Sequence, residues 1–536
     1  MPTREIESVS PRKIPSNLYV TFVTPDPNRG GRKTVARLSA WVLSLGLAAC
    51  GGGGGGGEGS PAPTPEPKPP NLPPVTELPA PDLLARRQQV QTFVAEQKSK
   101  IEAVDCQRGS HALCENLVDL RFSQGQARPE KLRADQTILL IDGGIGHAAT
   151  LRYRSRILAY YRVSESSGLV EAHDPVIANT PRWGAELLRA IDGFQSPDAT
   201  GQLRPSFVPA AWLRPLRPLL SGPRDFAMLD RIPHGNMVLA QLVEANPQAG
   251  FVVLDPIPIQ SLLKAHRSSV CAKDWASVER GVQAMAQSLK EVLQGHGVDY
   301  VNLSGGLDTG NLPDSWGALN CGFTLGQAEA QALILAFRPL YAALFESPQI
   351  LGVQAAGVMM TPTSHPLEAL PLAHRLRVSY FHPLAEQLPA DGVTGNRRPA
   401  VLEPNAADRA MVDVFLSTGM LDDSFRPGFN AAPPLITDSV YGLDLTPVFH
   451  ASPSWSAPQA LNRLIHLKRL LAPTLPPEAP LDPALIQRMK DALTPMGCSW
   501  APEDSGRCKL QDPAWHRQQE LFRQAWLPPS WNWAAP

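Results

Sequence analysis

Three short blocks of the sequence contain residue types that suit nucleophilic hydrolysis. The first ends an apolar run at Asp142, the second begins with His234, and the third carries Ser454. A serine hydroxyl becomes a nucleophile when a histidine takes its proton and an acid orients that histidine. Asp, then His, then Ser is one of the chain orders in which such triads occur. The sequence therefore predicts an Asp142–His234–Ser454 triad with Ser454 as the attacking group.

Each of these residues falls near the end of a predicted strand or the start of a predicted helix. The continuous apolar run at 138–141 predicts a buried strand that ends at Asp142. Apolar spacing predicts a helix that begins at or just after His234, and another over 454–471. A further strand, predicted at 299–303, ends at Ser304. Ligands bind beyond the carboxyl ends of parallel strands, so these residues are expected at one edge of a sheet.

Strands and helices alternate along the rest of this region. Further strands are predicted at 158–163, 250–254 and 350–355, and further helices at 83–101, 182–191, 274–294, 327–346 and 407–416. This alternation predicts an α/β fold with a mainly parallel sheet.

Four blocks carry a resemblance to a known family. They read Asp142-Gly143-Gly144, His234-Gly235-Asn236-Met237-Val238, Val301-Asn302-Leu303-Ser304-Gly305-Gly306 and Ser454-Trp455-Ser456-Ala457-Pro458. In this order they resemble the motifs of the subtilisin-like serine peptidases, or subtilases: Asp-Thr/Ser-Gly, His-Gly-Thr-His-Val, a strand lining the substrate cleft, and Ser-x-Ala/Ser-x-Pro. The resemblance covers residues 135–472, with long insertions.

The resemblance implies a subtilisin-like three-layer fold and a serine endopeptidase. We expect no cofactor and assign no metal ligands, because no cysteine spacing in the sequence resembles a zinc site. Ser454 would attack the peptide carbonyl, His234 would take its proton, and Asp142 would hold the histidine tautomer. The backbone of Ser304, Gly305 and Gly306 would pair with an extended peptide or protein substrate as an added strand.

Two departures from the family pattern concern the oxyanion site. Val358 occupies the position of the family's oxyanion asparagine, and losing such a donor costs about 10²–10³ in rate. Ser452-Pro453 replaces the Gly-Thr that precedes the nucleophile. Gln354 and Asn396 are candidates to replace the missing donor. The alternative is therefore a catalytically weak or inactive subtilase fold that binds peptides at the cell surface.

A second enzyme class competes for the first block. Gly144-Ile145-Gly146-His147-Ala148-Ala149 follows an apolar strand and fits the dinucleotide-binding pattern Gly-x-Gly-x-x-Ala, with Glu165 or Glu171 as the ribose acid. This interpretation leaves His234 and Ser454 unexplained, so the peptidase is favoured.

The amino-terminal region has the parts of a secretory signal. A basic stretch at 29–37 precedes an uncharged apolar run at 38–49, which is shorter than the about 20 residues that span a bilayer. The run ends in Leu47-Ala48-Ala49-Cys50, which resembles the lipobox of bacterial lipoproteins, in which the cysteine is acylated; the competing interpretation is a core helix with a chance cysteine. Gly51, not Asp, follows Cys50, which resembles the signal for outer-membrane sorting. We therefore expect a lipid-anchored protein of the cell envelope.

Composition divides the rest of the chain. The expected parts are a signal region with lipobox (1–50), a Gly- and Pro-rich linker (51–82), an N-terminal helical segment (83–134), a subtilase-like domain (135–475) and a tail with Trp and Cys (476–536). The net charge of −1 offers no basic patch for nucleic acid.

Cysteine usage favours disulfides. Apart from Cys50 there are six cysteines, an even number in a chain expected to be exported. The simplest of the fifteen connectivities pairs them as Cys106–Cys114, Cys271–Cys321 and Cys498–Cys508.

Overall fold

The computed structural model describes the greater part of the region from residue 80 onward. The described residues are 80–104, 117–124, 136–197, 201–219, 233–247, 249–256, 258–310, 312–317, 319–357, 360–390, 397–402, 410–417, 435–437, 442–447, 452–476, 479–493, 496–497 and 509–510. Several sequence predictions fall outside them: the signal region with Cys50, the Gly- and Pro-rich linker, Val358, Asn396, Cys106, Cys114, Cys498, Cys508 and the tryptophans of the tail.

The strands lie in chain order as follows: β1 (Leu117–Arg121), β2 (Thr137–Ile141), β3 (Ile157–Val163), β4 (Val170–Ala172), β5 (Val176–Pro181), β6 (Gln195–Pro197), β7 (Leu203–Pro205), β8 (Gly250–Leu254), β9 (Tyr300–Leu303), β10 (Leu351–Ala355), β11 (Arg375–Ala390), β12 (Arg397–Leu402), β13 (Val414–Ser417), β14 (Leu435–Thr437), β15 (Leu445–Pro447), β16 (Met496–Gly497) and β17 (Lys509–Leu510).

The α-helices are α1 (Ala80–Val104), α2 (Arg182–Asp192), α3 (Ala210–Leu213), α4 (His234–Ala245), α5 (Ile259–Ala265), α6 (Arg267–Cys271), α7 (Trp275–Gly295), α8 (Leu312–Gly317), α9 (Gln327–Leu335), α10 (Arg338–Phe345), α11 (Pro453–Leu471) and α12 (Pro483–Leu493). Short 3₁₀ helices lie at Phe122–Gln124, Ala148–Arg156 and Arg214–Leu219.

One large sheet organises the described part of the chain. Its strand order is β16-β17-β13-β11-β10-β9-β2-β8-β3-β4, and β12 also pairs with β11. Every neighbouring pair from β13 through to β3 is parallel, whereas β4, β12 and β16 pair antiparallel with their neighbours. Strands β2, β8 and β10 are buried along their whole length, as parallel strands covered on both faces must be.

Alternate residues of the central strands enter two separate cores. Ile138 and Leu140 of β2 pack in a core that also holds side chains of α2, α4 and α11. Leu139 and Ile141 pack in a second core with side chains of α7, α9 and α10. Because successive strand residues point to opposite faces, this division describes a helix–sheet–helix arrangement. The predicted three-layer α/β fold with a mainly parallel sheet is confirmed.

Helices that precede and follow the central strands in the sequence also pack in the first core. Val90 and Val94 of α1 pack there, and so do Leu485 and Met489 of α12. The domain boundaries drawn from composition stay a prediction.

Most predicted elements are present, with differences between 327 and 417. The predicted helix at 327–346 is two helices, α9 and α10, separated by Ala336–Phe337. Of the helix predicted over 407–416, residues 410 and 411 are helical, but the prediction is wrong from Val414 onward, because β13 lies there and pairs in parallel with β11. Strand β11 lies where no strand was predicted from the sequence.

A disulfide and an apolar helical stretch complete the fold. Cys271 at the end of α6 is bonded to Cys321, the pairing expected from the sequence. Among the described residues, the stretch Gln327–Phe345 is long and apolar enough to cross a bilayer, and 56% of its apolar window is buried inside the molecule. Such burial is typical of core helices.

Candidate active site

The ends of the central strands bring four polar segments to one edge of the sheet. Asp142 follows β2, Asp255 follows β8, Ser304 follows β9, and Gly357 lies just beyond β10. Since β8, β2, β9 and β10 are parallel neighbours, their carboxyl ends meet at this edge. The predicted substrate strand and the predicted acid are therefore adjacent.

Asp142 and His234 are in direct contact. Asp142 Oδ1 lies 2.8 Å from His234 Nδ1, so a proton on Nδ1 completes a hydrogen bond. The same carboxylate oxygen accepts the N–H of Gly143 at 2.6 Å. Asp142 is buried, whereas the His234 side chain keeps 36% of its surface exposed. A buried acid that orients a partly exposed imidazole is the arrangement that general-base catalysis requires.

Two glycines bring the helix of His234 close to the turn after Asp142. The Gly235 N–H donates to the Gly143 carbonyl at 2.9 Å. A Cβ on Gly235 would lie 2.8 Å from that carbonyl oxygen and 2.7 Å from Ile145. Gly144 has φ +83°, a left-handed conformation that favours glycine, and a Cβ there would lie 2.6 Å from Pro233. Larger residues at either position would push α4 away from the turn.

Ser454 lies in the first turn of α11. Ser452 is the N-cap, and its Oγ accepts the Ser454 N–H at 3.2 Å, while Pro453 occupies the first helical position. The Ser454 Oγ is buried and donates to the Ser304 carbonyl at 3.4 Å. The N-terminus of this 19-residue helix carries a partial positive charge that favours a developing anion.

The residue after Ser454, Trp455, packs its indole against His234. Its ring stacks on the His234 imidazole with centroids 5.0 Å apart and planes inclined by 28°. Trp455 is buried, so the stack is fixed from below by the core. In the described part of the chain Ser454 Oγ donates to Ser304 and not to His234. Asp142, His234 and Ser454 thus share one site, with two of the three directly bonded.

The charges of the pair act on each other. Burial raises the pKa of Asp142 above its usual value, although His234 and the Gly143 N–H oppose this rise. Burial alone lowers the pKa of His234, but the Asp142 charge and its hydrogen bond reverse this effect, so the pKa of His234 lies above its usual value. The pair therefore favours the imidazolium that forms when His234 accepts a proton.

The predicted substrate segment Ser304–Gly306 rests on a buried polar cluster. The Gly305 carbonyl accepts from Gln354 Nε2 at 3.4 Å, and a Cβ on Gly306 would lie 2.6 Å from Glu368 Oε1. Burial raises the pKa of Glu368 to about 7. The backbone of this segment is therefore supported from behind by side chains of β10 and of the segment before β11.

Gln354 is not available to replace the missing oxyanion donor. It is fully buried, its Nε2 also donates to Glu368 at 2.8 Å, and its Oε1 accepts from Arg375 at 3.2 Å. Its amide is thus committed to the interior of the molecule. The other candidate, Asn396, and Val358 itself lie outside the described residues.

The backbone N–H groups of the dinucleotide-like pattern already have a partner. Asp255 accepts from Gly144 at 3.0 Å, from Ile145 at 2.8 Å and from Gly146 at 3.3 Å. A pyrophosphate would need these same N–H groups. The alternative of a dinucleotide-binding enzyme is therefore not supported by this turn.

The described residues contain no cluster of side chains suited to bind a metal ion. No group of three or more His, Cys, Asp or Glu side chains is placed there to hold an ion.

Sequence reasoning missed Asp255 and the role of Trp455. Asp255 ends the apolar run of β8 just as Asp142 ends that of β2, so the same strand-end signal applied to it. Trp455 carries no local signal, because its contact with His234 exists only once α4 and α11 are packed together.

Comparison with known proteins adds distant similarities. No protein-family model matches the sequence, and neither does any curated protein. Among solved structures, a lanthipeptide protease is 9% identical with a TM-score of 0.34, covering 74% of this chain and 90% of that one. Pseudomonas sedolisin, a serine-carboxyl proteinase complexed with pseudo-iodotyrostatin, is 11% identical with a TM-score of 0.27, covering 69% and 87%. The MycP3 protease from the type VII (ESX-3) secretion system is 12% identical with a TM-score of 0.26, covering 74% and 93%. At these values the similarities carry no argument about family or activity.

Proposed function

We propose that this chain is a subtilisin-like serine endopeptidase that hydrolyses peptide bonds. The observation that best supports the proposal is the 2.8 Å contact between Asp142 and His234 at the strand edge where Ser454 meets Ser304. The acid and the base are then hydrogen-bonded as their roles require, and the Ser454 hydroxyl lies at the same edge of the sheet.

The proposed reaction begins with the Ser454 hydroxyl, which attacks the substrate carbonyl while His234 Nε2 takes its proton. The hydroxyl must first leave the Ser304 carbonyl, to which it donates in the free protein. Asp142 holds Nδ1 and stabilises the imidazolium. His234 then returns the proton to the leaving amine, and a water molecule deprotonated by His234 hydrolyses the acyl-enzyme.

A peptide-binding protein with weak or no catalysis is the second candidate. Three observations favour it. The Ser454 Oγ is bonded to Ser304, the Ser454 N–H is bonded to Ser452, and Val358 stands where an oxyanion amide is expected. A backbone N–H of the nucleophile is a common oxyanion donor, so its use as a helix-cap partner weakens the site.

Covalent labelling separates the two candidates. A fluorophosphonate probe reacts with a serine that a neighbouring base activates, so we expect the full-length chain to be labelled and Ser454→Ala not to be. The matched control is Ser456→Ala, which removes a buried hydroxyl two residues away with no hydrogen-bond partner among the described residues. Labelling lost in Ser454→Ala alone, with cleavage of a peptide library, supports the peptidase. An unlabelled wild-type protein that binds peptides without cleaving them would reject it in favour of the second candidate.

We further propose that lipid on Cys50 anchors the protein at the cell envelope, on the outer membrane. The lipobox-like ending at Cys50 and the following Gly- and Pro-rich linker support this location. So does the Cys271–Cys321 disulfide, since disulfides persist mainly in oxidising compartments. In bacteria fed a radiolabelled fatty acid, the wild-type chain should carry the label and sediment with outer membranes. Label retained by Cys50→Ala would contradict the anchor.

A further inference from the structure

The turn that follows β2 is closed by a carboxylate from the neighbouring strand. Asp255 accepts the consecutive N–H groups of Gly144, Ile145 and Gly146 at 3.0, 2.8 and 3.3 Å. The hydroxyl of Tyr160 donates to the same carboxylate. Burial and the adjacent charge raise the pKa of Tyr160 above its usual value, so this phenol keeps its proton and remains a donor. Consecutive N–H groups form a concave anion site, which here holds a side chain of the protein itself.

The same turn carries the bonds that fix the acid and the base. The Asp142 N–H donates to the carbonyl of Leu254, at the end of β8, over 3.3 Å. The Gly143 carbonyl accepts the N–H of Gly235, the residue after His234, at 2.9 Å. A displacement of the turn would therefore move Asp142 and the start of α4 relative to each other.

We propose that Asp255 is a positioning residue that, through the Gly143–Gly146 turn, keeps Asp142 within hydrogen-bonding distance of His234. Its proposed route of action is the turn, while its charge also acts directly on Asp142 and helps to raise the pKa of that carboxyl. The inference rests on the proposed function for its kinetic readout, but the Asp142–His234 bond can be observed without substrate.

Asp299 provides a matched comparison at the opposite end of β2. Asp255 is partly buried, whereas Asp299 is a buried carboxylate from another neighbouring chain segment, and it accepts the N–H of Thr137, the first residue of that strand, at 2.8 Å. Its loss should destabilise the sheet without moving the turn. A role confined to stability would make Asp255 and Asp299 equivalent.

The experiment compares Asp255→Asn with Asp299→Asn in the full-length chain. Both oxygens of Asp255 accept hydrogen bonds, but an asparagine has only one oxygen, and its NH₂ group would face donors that it cannot bind. The turn should therefore loosen. We expect fluorophosphonate labelling of Asp255→Asn to fall about 10²-fold, as misplacement by about 1 Å produces, and that of Asp299→Asn to stay within about threefold of the wild type. Tyr160→Phe, which removes one donor of four, should give a smaller loss than Asp255→Asn and serves if that variant fails to fold.

A second readout does not require activity. The His234 Nδ1 proton gives a downfield proton resonance when bonded to Asp142, identified by its absence in His234→Gln. We expect Asp255→Asn to lose this resonance and Asp299→Asn to keep it. If the wild-type protein shows the resonance but never labels, and Asp255→Asn loses the resonance, the positioning role stands and the peptidase is rejected. The proposal is overturned if Asp255→Asn keeps the resonance and the wild-type rate, or if both asparagine variants lose them equally.

Discussion

At the scale of single residues, Trp455 sets the electrostatic environment of His234. An indole face attracts a cation by about 0.5–2 kcal/mol, and the stack on His234 presents such a face to the imidazolium. This attraction adds to that of Asp142, which already raises the pKa of His234. The protonated form of the base is thus stabilised from two sides, once by charge and once by the ring.

Replacement of Trp455 should shift the pH dependence of labelling. Only neutral His234 can accept the proton, so the rate rises as pH increases through the pKa of His234. Trp455→Leu removes the ring face, lowers this pKa, and should move the midpoint down by about 0.4–1.5 pH units. The measurement is the fluorophosphonate labelling rate between pH 4 and pH 9.

The control for this prediction is Trp316→Leu, which removes a buried indole from the second core. It should lower thermal stability and leave the midpoint unchanged. A midpoint of Trp455→Leu equal to that of the wild type would show that the ring contributes no charge stabilisation.

The sequence suggested candidate residues for the site but not the contacts that they make. Residue type, chain order and position at the end of a strand or the start of a helix were enough to single out Asp142 and His234, which are in contact. The bond from Ser454 to Ser304 and the burial of Gln354 were not predictable, because they depend on how α11 and β10 pack. Spacing along the chain carries no information about which of several partners a hydroxyl or amide finally meets.

At the scale of elements, the cap of α11 competes with the proposed oxyanion site. Ser452 Oγ satisfies the Ser454 N–H, one of the donors that the first turn of a helix leaves unpaired. The same N–H would be needed to stabilise negative charge on the substrate oxygen. The Ser454 N–H can therefore either stabilise the helix or stabilise the transition state, but not both at once.

Ser452→Ala should separate these two effects. Loss of the cap is expected to lower the free energy of unfolding by about 1 kcal/mol, while the freed N–H should make labelling faster. The measurements are urea unfolding and the labelling rate. Asp274→Ala is the matched control, since Asp274 caps α7 by accepting the Ser277 N–H. It should change neither the labelling rate nor the pH dependence of that rate. Slower labelling in Ser452→Ala would contradict the competition.

Elements were predicted well where a pattern was long or continuous. The five-residue apolar strands and the amphipathic α7 carry such patterns, and the structure has them. A helix was predicted over 407–416, whereas pairing with β11 makes Val414–Ser417 a strand. Propensity over so short a segment is easily overridden by a sheet that offers hydrogen-bond partners.

At the scale of the whole molecule, the disulfide supports the second core. Cys271 ends α6, and Cys321 lies after α8, 50 residues further along the chain. Between them lie α7 and β9, whose side chains build much of that core. A bond that closes this loop limits the freedom of the unfolded chain.

Removal of both cysteines should therefore be costly to stability. For a loop of this length we expect Cys271→Ser with Cys321→Ser to lower the free energy of unfolding by about 2–4 kcal/mol. Urea unfolding of the full-length chain measures the change, and thiol titration of the denatured protein should show two fewer reducible cysteines. An unchanged midpoint of unfolding would show that the bond constrains nothing.

The contact between Gly143 and Gly235 also predicts where this chain should tolerate changes in length. His234 lies 92 positions after Asp142 in the sequence, yet the two ends of that segment meet in one turn. An insertion between them leaves both ends of the segment in place, and the entropic cost of closing a longer loop grows only slowly with its length. Strand β2 has no such freedom. One added residue there would exchange the side chains of the two cores and turn the acid away from its histidine, so length can vary between the residues of the site but not within the strands that present them.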